Sequence, residues 1–555
     1  MSYKTKFTKL IAFALLFLGS LLITGTVSAA PADPEYLILT QPDGYTFVAQ
    51  QWGDEHLNGF VTETNHVIRQ EGDWWVYSEN LPQIDGSAIQ SVNTLFVGQV
   101  STEGLPTRDQ MVSTEIREQS IVSGVNALPI QYQGNQPVIV ILASFSDRKG
   151  TYPASTFQQT VFGNGKSVVD YFRVASFGKL NLVPAAETHG TVNDGVIGWI
   201  DLGYNHPNPQ YSINSANQKI TVDALTLANE YIDYAQFDSN NDGVITSNEL
   251  HIIIVVAGYE TATSGTLTPG VWGHNWSVNI NPPVLDGVRL VDGNKRGSYS
   301  QVGEIHRDHP ATIGAIVHEL GHDINWPDLY DTGVPSWDGV GYWSVMGHGL
   351  WNSLPGEYRG MTPALPDAFL KYYQGWIDPV VIDPASVNAA MLQANASATN
   401  PIAYLIGSNP GGVDWIFFRQ SGVGEYFLVE NRQPVSYDAA LPGSGLAVWH
   451  IDETVVYNNF ANDNADKPLV QLVEADGRND LKTLNDFNAG DSTDLFGSAE
   501  GLTQLLAIGP VNTLFNDGNP SGIELTNISM SAPTMAANLN VVKYAYAFIP
   551  SLIIN

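Results

Sequence analysis

Residues 312–331 read TIGAIVHELGHDINWPDLYD and contain His318-Glu319-Leu320-Gly321-His322. On a helix, positions i and i+4 stand one above the other on the same face. His318 and His322 can therefore aim two imidazoles at one metal ion. Glu319 lies about 100° round the helix from His318, outside the ligand set but within reach of a water on the metal. Neutral imidazole ligands, an open coordination position and a carboxylate to take a proton make up the donor set of a zinc hydrolase.

The flanking residues define the helix. His309-Pro310 bars entry from upstream, and Thr312 suits an N-cap. Ile313, Ile316, Val317, Leu320 and Ile324 recur at i, i+3, i+4, i+7 spacing, which predicts one buried face. Asn325 tolerates the left-handed conformation that ends helices, and Pro327 forbids more helix. The chain then turns back, and Asp328, six residues past His322, can reach the metal as third ligand. The extended pattern H-E-x-x-H-x-x-G-x-x-H has this spacing, with Asn325 here in place of its Gly and Asp328 in place of its last His. Two helical histidines could instead be satisfied core residues. The cap, apolar face, break and placed Asp together favour the metal. Downstream, Ser344-Val345-Met346-Gly347 fits a tight turn whose Met346 lies beneath the zinc ligands, as in metzincins. His348 is read either as a stabiliser of the oxyanion or as a plain surface histidine.

The chain of 555 residues is long enough for several cores. It begins MSYKTKFTKLIAFALLFLGSLLITGTVSAA, with Lys4, Lys6 and Lys9, an apolar run, and Val27-Ser28-Ala29. These are the parts of a secretory signal peptide over 1–29, cut after Ala29 or Ala30, the rival being a retained membrane anchor. No later apolar run is long enough to span, so a soluble extracellular protein is expected. Cysteine is absent, which excludes thiol catalysis and leaves core size or bound metal to supply stability. A formal net charge of −32 repels nucleic acid and anionic membranes and suits an exported protein that binds divalent cations. The expected partners are protein or peptide substrates, and the expected state is a monomer.

Residues 30–100 read as a small β-rich unit, with short alternating strands broken by Asp-Gly and Gly-Asp. Residues 101–136 are polar and read as a linker open to cleavage. A third unit, 137–379, opens on the buried strand PVIVILASFSD. GKSVVDYFRVASFGKLNL predicts a helix and a strand, 219–234 a helix, and 363–376 a closing helix. Within it, DSNNDGVITSNE (238–249) matches the calcium-loop pattern: Asp238, Asn240 and Asp242 as ligands, Gly243 for the turn, the Val244 carbonyl, and Glu249 closing. A strand follows instead of a second helix, so one structural calcium is expected, not a sensor pair; an ion-free Asx-rich turn is the rival. Residues 380–555 read as a β-sandwich. There Asp452, Glu453, Glu474, Asp476 and Asp491 could build a second cation site, solvated turn carboxylates being the favoured reading.

HELGHDINWPDLYD (318–331), YWSVMGHGLWN (342–352), DSNNDGVITSNE and EYFLVENRQPVSYDAALPGSGLAVWHIDE (425–453) resemble the immune inhibitor A family of secreted bacterial zinc metalloproteases. TQPDGYTFVAQQWGDE (40–55) resembles that family's propeptide. The resemblance implies catalytic Zn²⁺ on His318, His322 and Asp328 with Glu319 catalytic, structural Ca²⁺, and a removable prodomain. The implied fold is α+β and multidomain: a metzincin-like protease domain of mixed sheet plus active-site helix, between the prodomain and a C-terminal sandwich. Asn325-Trp326 departs from the family's Gly and aliphatic residue and is expected to reshape the pocket wall. The implied activity is metal-activated hydrolysis of extracellular proteins. Rival readings are a secreted binding or adhesion protein with a dead protease domain, and a zinc hydrolase acting on bonds other than peptides.

Overall fold

A computed structural model describes residues 28–541, except 55–56, 79–94, 100–101, 103–104, 109–110, 112–130, 334–335, 383–386, 394–402, 410, 414, 417–420, 456–460, 484–487 and 499–501. The expected signal peptide up to Val27, most of the expected linker and the apolar tail after Val541 lie outside the described residues. Among those described, no helix is long and apolar enough to cross a membrane.

Strand β1 (Ser28–Ala29) precedes an antiparallel five-stranded meander, β2 (Tyr36–Thr40), β3 (Thr46–Gly53), β4 (Asn58–Thr62), β5 (Val67–Glu71) and β6 (Trp74–Tyr77). Trp75, Phe60 and Ala49 fill one face of this meander.

The central sheet begins with β7 (Gly134–Ser144), whose Val-Ile run is buried on both faces. Helices α1 (Ala154–Phe162) and α2 (Val168–Ala175) and strands β8 (Leu180–Pro184) and β9 (Val196–Asp201) follow. Helix α3 spans Ser215–Ala228, earlier than the expected 219–234, because Asn214 and Asn217 close a capping box. Strand β10 (His251–Glu260), the short helix α4 (Thr261–Ser264), β11 (Gly270–Val271), β12 (His274–Trp276), the hairpin β13 (Val284–Leu285) and β14 (Val288–Arg289), β15 (Tyr299–His306) and β16 (His309–Pro310) complete this part. The sheet order is β1-β12-β15-β10-β7-β8, with β9 also on β7. β15, β10, β7 and β8 run parallel, whereas β12 is antiparallel to β15 and β1 antiparallel to β12. This is a mixed α/β sheet buried on both sides, which explains the unbroken apolar runs of β7 and β10.

Helix α5 (Ile313–Asp323) lies against this sheet. Every one of its residues is buried, not only the expected face, as befits a helix enclosed by other elements. The expected Thr312 side-chain cap is not made. Thr312 Oγ1 donates instead to the Arg359 carbonyl at 2.8 Å, and the first-turn Gly314 N–H is satisfied by the Gly360 carbonyl at 2.9 Å. The closing helix is shorter than expected: α6 covers only Ala368–Tyr373, because Pro363 and Pro366 precede it and Asp367 caps it through the Phe369 and Leu370 N–H groups.

The C-terminal residues form two sheets. One orders β17 (Val380–Ile382), β19 (Tyr404–Ser408), β20 (Glu425–Arg432), β21 (Gly445–Asp452) and β22 (Val470–Leu472); the other orders β18 (Val387–Gln393), β24 (Thr534–Val541) and β23 (Ile523–Thr526). Phe427, Val429, Leu446 and Val448 face the second sheet, with Ile523, Leu525 and Leu539. Their strand neighbours Tyr426, Leu428, Ala447 and Trp449 point the other way, into one continuous core with Trp343, Phe369 and the residues of α5. The five-stranded sheet is thus the floor of the part that carries α5.

Candidate metal centre

The helix places His318 and His322 as their spacing requires, and the break returns Asp328 to them. Asn325 takes the expected left-handed conformation (φ 70°), and the Trp326 N–H closes back on the Gly321 carbonyl at 2.8 Å. His318 Nε2, His322 Nε2 and Asp328 Oδ1 form a triangle with all three sides 3.2 Å. Ligand atoms about 2.0 Å from a tetrahedral zinc stand about 3.3 Å apart, so the triangle fits one face of that tetrahedron.

The protons of the site are fixed by its partners. His318 Nδ1 lies 2.9 Å from the Val345 carbonyl, and His322 Nδ1 lies 2.8 Å from the Trp326 carbonyl. A carbonyl only accepts, so each Nδ1 carries the proton and each Nε2 presents a lone pair. Two imine lone pairs and a carboxylate oxygen converge on one point, an arrangement that a cation stabilises and a dry core does not. Burial raises the Asp328 carboxyl, and only positive charge, on the imidazoles or on a cation between them, brings the group below the ordinary carboxylate range.

Val345 belongs to the expected Met-turn. Met346 is fully buried, and its carbonyl accepts the Leu329 N–H at 2.8 Å, next to Asp328. Gly321 makes this approach possible: a Cβ there would lie 2.6 Å from Met346 Sδ and 2.9 Å from the Trp326 ring. Gly321→Ala is therefore expected to destabilise the protein by about 1–3 kcal/mol. Helix propensity alone would give a gain of up to about 1 kcal/mol. The sign of the shift in a thermal melt decides between them.

Behind the helix, Asp323 accepts from Ser247 Oγ at 2.7 Å and pairs closely with Ser298 Oγ and His251 Nδ1; His251 Nε2 reaches Gln136 Oε1 at 2.8 Å. This buried network ties the residue after His322 to β7 and β10 and was not legible from the motif. His348 is half-buried, its ring centroid 6.3 Å from that of Tyr330, and burial with nearby Arg359 pushes its pKa down to about 4, so it is neutral at pH 7.

Glu319 is fully buried on the helix, and its Oε1 accepts the N–H of Ala30 at 2.9 Å. That donor, 289 residues away, directly follows β1, which pairs with β12 through Ser28 with Asn275 and Ala29 with His274. The next residues are held as firmly. Trp272 Nε1 donates to the Ala30 carbonyl at 2.8 Å, Trp351 Nε1 to the Pro31 carbonyl at 3.0 Å, and buried Asp33 pairs with Arg359 at 2.6 Å. An extended segment, 28–33, therefore crosses the site.

The expected calcium loop is coiled at its start. Asp238 accepts the Asp242 and Gly243 N–H groups at 3.1 and 2.9 Å, Asn240 Oδ1 accepts the Asp242 N–H at 2.8 Å, Asp242 Oδ1 accepts that of Val244 at 2.9 Å, and Gly243 has φ 80°. Glu249 is turned to Ser239 and Thr246, whose hydroxyls donate to it at 2.9 Å. Asp238, Asp242 and Glu249 are not among the close carboxylate clusters of the described residues. In the C-terminal part, Asp452 is taken up by Thr454 and Asn516, and Glu453 by the Tyr426 hydroxyl, apart from Glu474, Asp476 and Asp491.

With this geometry in place, comparison with known proteins identifies the fold's relatives. The family description "Immune inhibitor A peptidase M6, catalytic domain" matches residues 143–377. Residues 143–377, which include α5, are thus similar to the catalytic domain of the immune inhibitor A peptidases. The chain is 28% identical over 182 residues to "Immune inhibitor A" of Bacillus thuringiensis subsp. alesti, covering 31% of this chain and 26% of that protein. It is 31% identical over 136 residues to "Pre-pro-metalloprotease PrtV" of Vibrio cholerae serotype O1, covering 24% of this chain and 14% of that protein. The chain thus spans about a quarter or less of the length of these curated relatives. The family and the metalloprotease named among them agree with the metal-binding donor set at α5.

Proposed function

We propose that the protein is a secreted, zinc-dependent endopeptidase of extracellular proteins, made as a zymogen and acting as a monomer. The observation that carries the reading is the 3.2 Å triangle of His318, His322 and Asp328 with both histidine tautomers fixed, next to a buried Glu319. Zinc, when bound, supplies a Lewis acid that polarises the scissile carbonyl and lowers the pKa of a water to about 7. Glu319 takes the proton of the attacking water and passes it to the leaving amine. The edge strand β12 lines up an extended substrate by antiparallel pairing, as it does β1. Tyr330 and neutral His348 form the facing wall. An inactive adhesion protein has no physical need for a general base beside an intact ligand triangle.

Once the leader is cut after Ala29, residues 30–33 still lie where such a substrate would run, with the Ala30 nitrogen on Glu319 and Asp33 on Arg359. The secreted chain is accordingly silent until residues 30–100 are removed, and a cut in the 101–136 linker releases them. Secretion rests on the leader at 1–29. The test is zinc content measured together with casein zymography, before and after limited proteolysis of the linker, with and without chelator. Cleared casein in the presence of chelator, or a chain without zinc that still digests, would overturn the reading.

The 238–249 loop is assigned one structural calcium on Asp238, Asn240, Asp242, the Val244 carbonyl and Glu249, for which Glu249 exchanges its hydroxyl partners for the ion. Binding only the folded state stabilises by RT ln(1 + [L]/Kd), about 2.7 kcal/mol at a hundredfold excess over Kd. Calcium is expected to raise the melting temperature, and Asp238→Asn to remove part of that gain. A melting curve of Asp238→Asn that responds to calcium as fully as the parent's would exclude the loop.

A further inference from the structure

Besides the zinc triangle, two clusters of close carboxylates occur among the described residues. They are Glu474, Asp476 and Asp494, and Asp476, Asp480 and Asp491, each with ligand oxygens within 4.8 Å of one another. Asp476 belongs to both, so the five acids of residues 474–494 form one nest. Part of it is internally satisfied: the Asp480 N–H donates to Glu474 at 2.6 Å, and Thr493 Oγ1 donates to Asp476 and Asp491 at 2.7 and 2.6 Å. Arg478, more than half exposed, screens only the outer side, 3.4 Å from Asp476 and 3.6 Å from Asp491. Among the described residues, no lysine or arginine comes within ion-pair distance of Glu474 or Asp494.

The inner side carries an independent sign of a ligand. Asp494 is fully buried, yet its Oδ1 has no hydrogen-bond partner, while Oδ2 accepts Trp343 Nε1 at 3.0 Å and the Asp491 N–H at 2.9 Å. A buried carboxylate oxygen without a donor is costly unless a cation meets it. Glu474, 4% exposed, adds a second buried carboxylate to the same cluster. Solvated turn acids do not look like this.

We propose that Glu474, Asp476 and Asp494 bind a calcium ion, with Asp480 and Asp491 on its outer side, and that this ion fastens residues 474–483 and 488–494 to the wall of the zinc site. The donors are all oxygen, which selects a hard cation over zinc. Several carboxylates from an irregular loop suit the large, flexible coordination of calcium better than the strict octahedron of magnesium.

The loop touches the zinc-site wall directly. The Tyr342 N–H donates to the Ala489 carbonyl at 2.7 Å, the Asp338 N–H to that of Leu481 at 2.8 Å, and the Val340 N–H to that of Leu329 at 2.9 Å, beside the ligand Asp328. Gly341 lets this contact form, since a Cβ there would lie 1.9 Å from the Ala489 oxygen.

The test is calcium stoichiometry by equilibrium dialysis on the full chain carrying Glu319→Ala, which suppresses self-digestion. Asp476→Asn and Asp494→Asn are each expected to lose about one calcium per chain. Asp238→Asn acts on a different ion, so its effect adds to theirs and separates this site from the 238–249 loop. Asp476 is the less buried position, so Asp476→Asn decides if Asp494→Asn does not fold. Terbium in place of calcium is expected to luminesce when Trp343 is excited, and to lose that signal in Asp476→Asn. Unchanged stoichiometry in both variants, a terbium signal that survives Asp476→Asn, or a site that takes magnesium and not calcium would each overturn the proposal.

Discussion

Replacing Glu319 by alanine in the linker-cleaved protein is expected to lower kcat/KM for casein about a thousandfold while zinc stays bound. The separation of the two effects follows from the site. His318 and His322 are oriented through their Nδ1 atoms by the Val345 and Trp326 carbonyls, and neither contact involves Glu319. Asp328 is returned to the triangle by the turn at Asn325 and by the Leu329 N–H on the Met346 carbonyl. The triangle of His318, His322 and Asp328 is thus built without Glu319, whereas the other acid of α5, Asp323, is engaged by Ser247 and His251 and cannot stand in for it. Metal analysis and initial rates on the same sample check both halves. Full activity in the variant removes Glu319 from the mechanism, and loss of zinc assigns the carboxylate to the metal set instead. In the uncut chain the same substitution also deletes the acceptor of the Ala30 N–H. Linker cleavage of that variant is therefore expected to release residues 30–100 more readily, by gel filtration after nicking.

The convergence of His318, His322 and Asp328 could be read from the chain because everything that sets it is local. The helix period places His318 over His322, Asn325 and Pro327 end the helix, and Asp328 comes back within six residues. What stayed hidden depends on distant pairings. The Ala30 contact to Glu319 joins residues 289 apart, and the register of β1 on β12 leaves no periodic trace in two residues. Thr312 reads as a cap by residue type, yet its hydroxyl is turned to the Arg359 carbonyl and accepts from no helix N–H. The sandwich strands alternate as expected, but Tyr426, Leu428 and Trp449 face a second core, and alternation alone cannot tell two buried faces from one buried and one wet. The acidic nest was half legible: Glu474, Asp476 and Asp491 converge, whereas Asp452 and Glu453 do not, and Asp480 and Asp494 join them through loop geometry that spacing does not encode.

Arg432→Met is expected to destabilise the whole chain by about 3–5 kcal/mol. Arg432 ends β20 and is fully buried where the C-terminal sheet meets the zinc-site wall. Its Nε and Nη2 donate to both oxygens of Asp438 at 2.8 and 2.7 Å, and Nη1 donates to the Trp343 carbonyl at 3.0 Å, three residues before Met346. Nearby, buried Lys371 of α6 pairs with Glu430 at 2.6 Å. Methionine fills much of the volume but leaves Asp438 charged, buried and facing no cation, which is why removing one partner costs more than the pair contributes. Lys166→Met breaks the Glu357 ion pair at the surface instead and is expected to shift stability by about 1 kcal/mol or less. Urea unfolding of both variants in a Glu319→Ala background gives the comparison without self-digestion. Equal shifts would mean that the C-terminal sheet is energetically separate from the zinc-site wall. The expected inequality would make residues beyond 380 part of what holds Met346, and through it Asp328, in place.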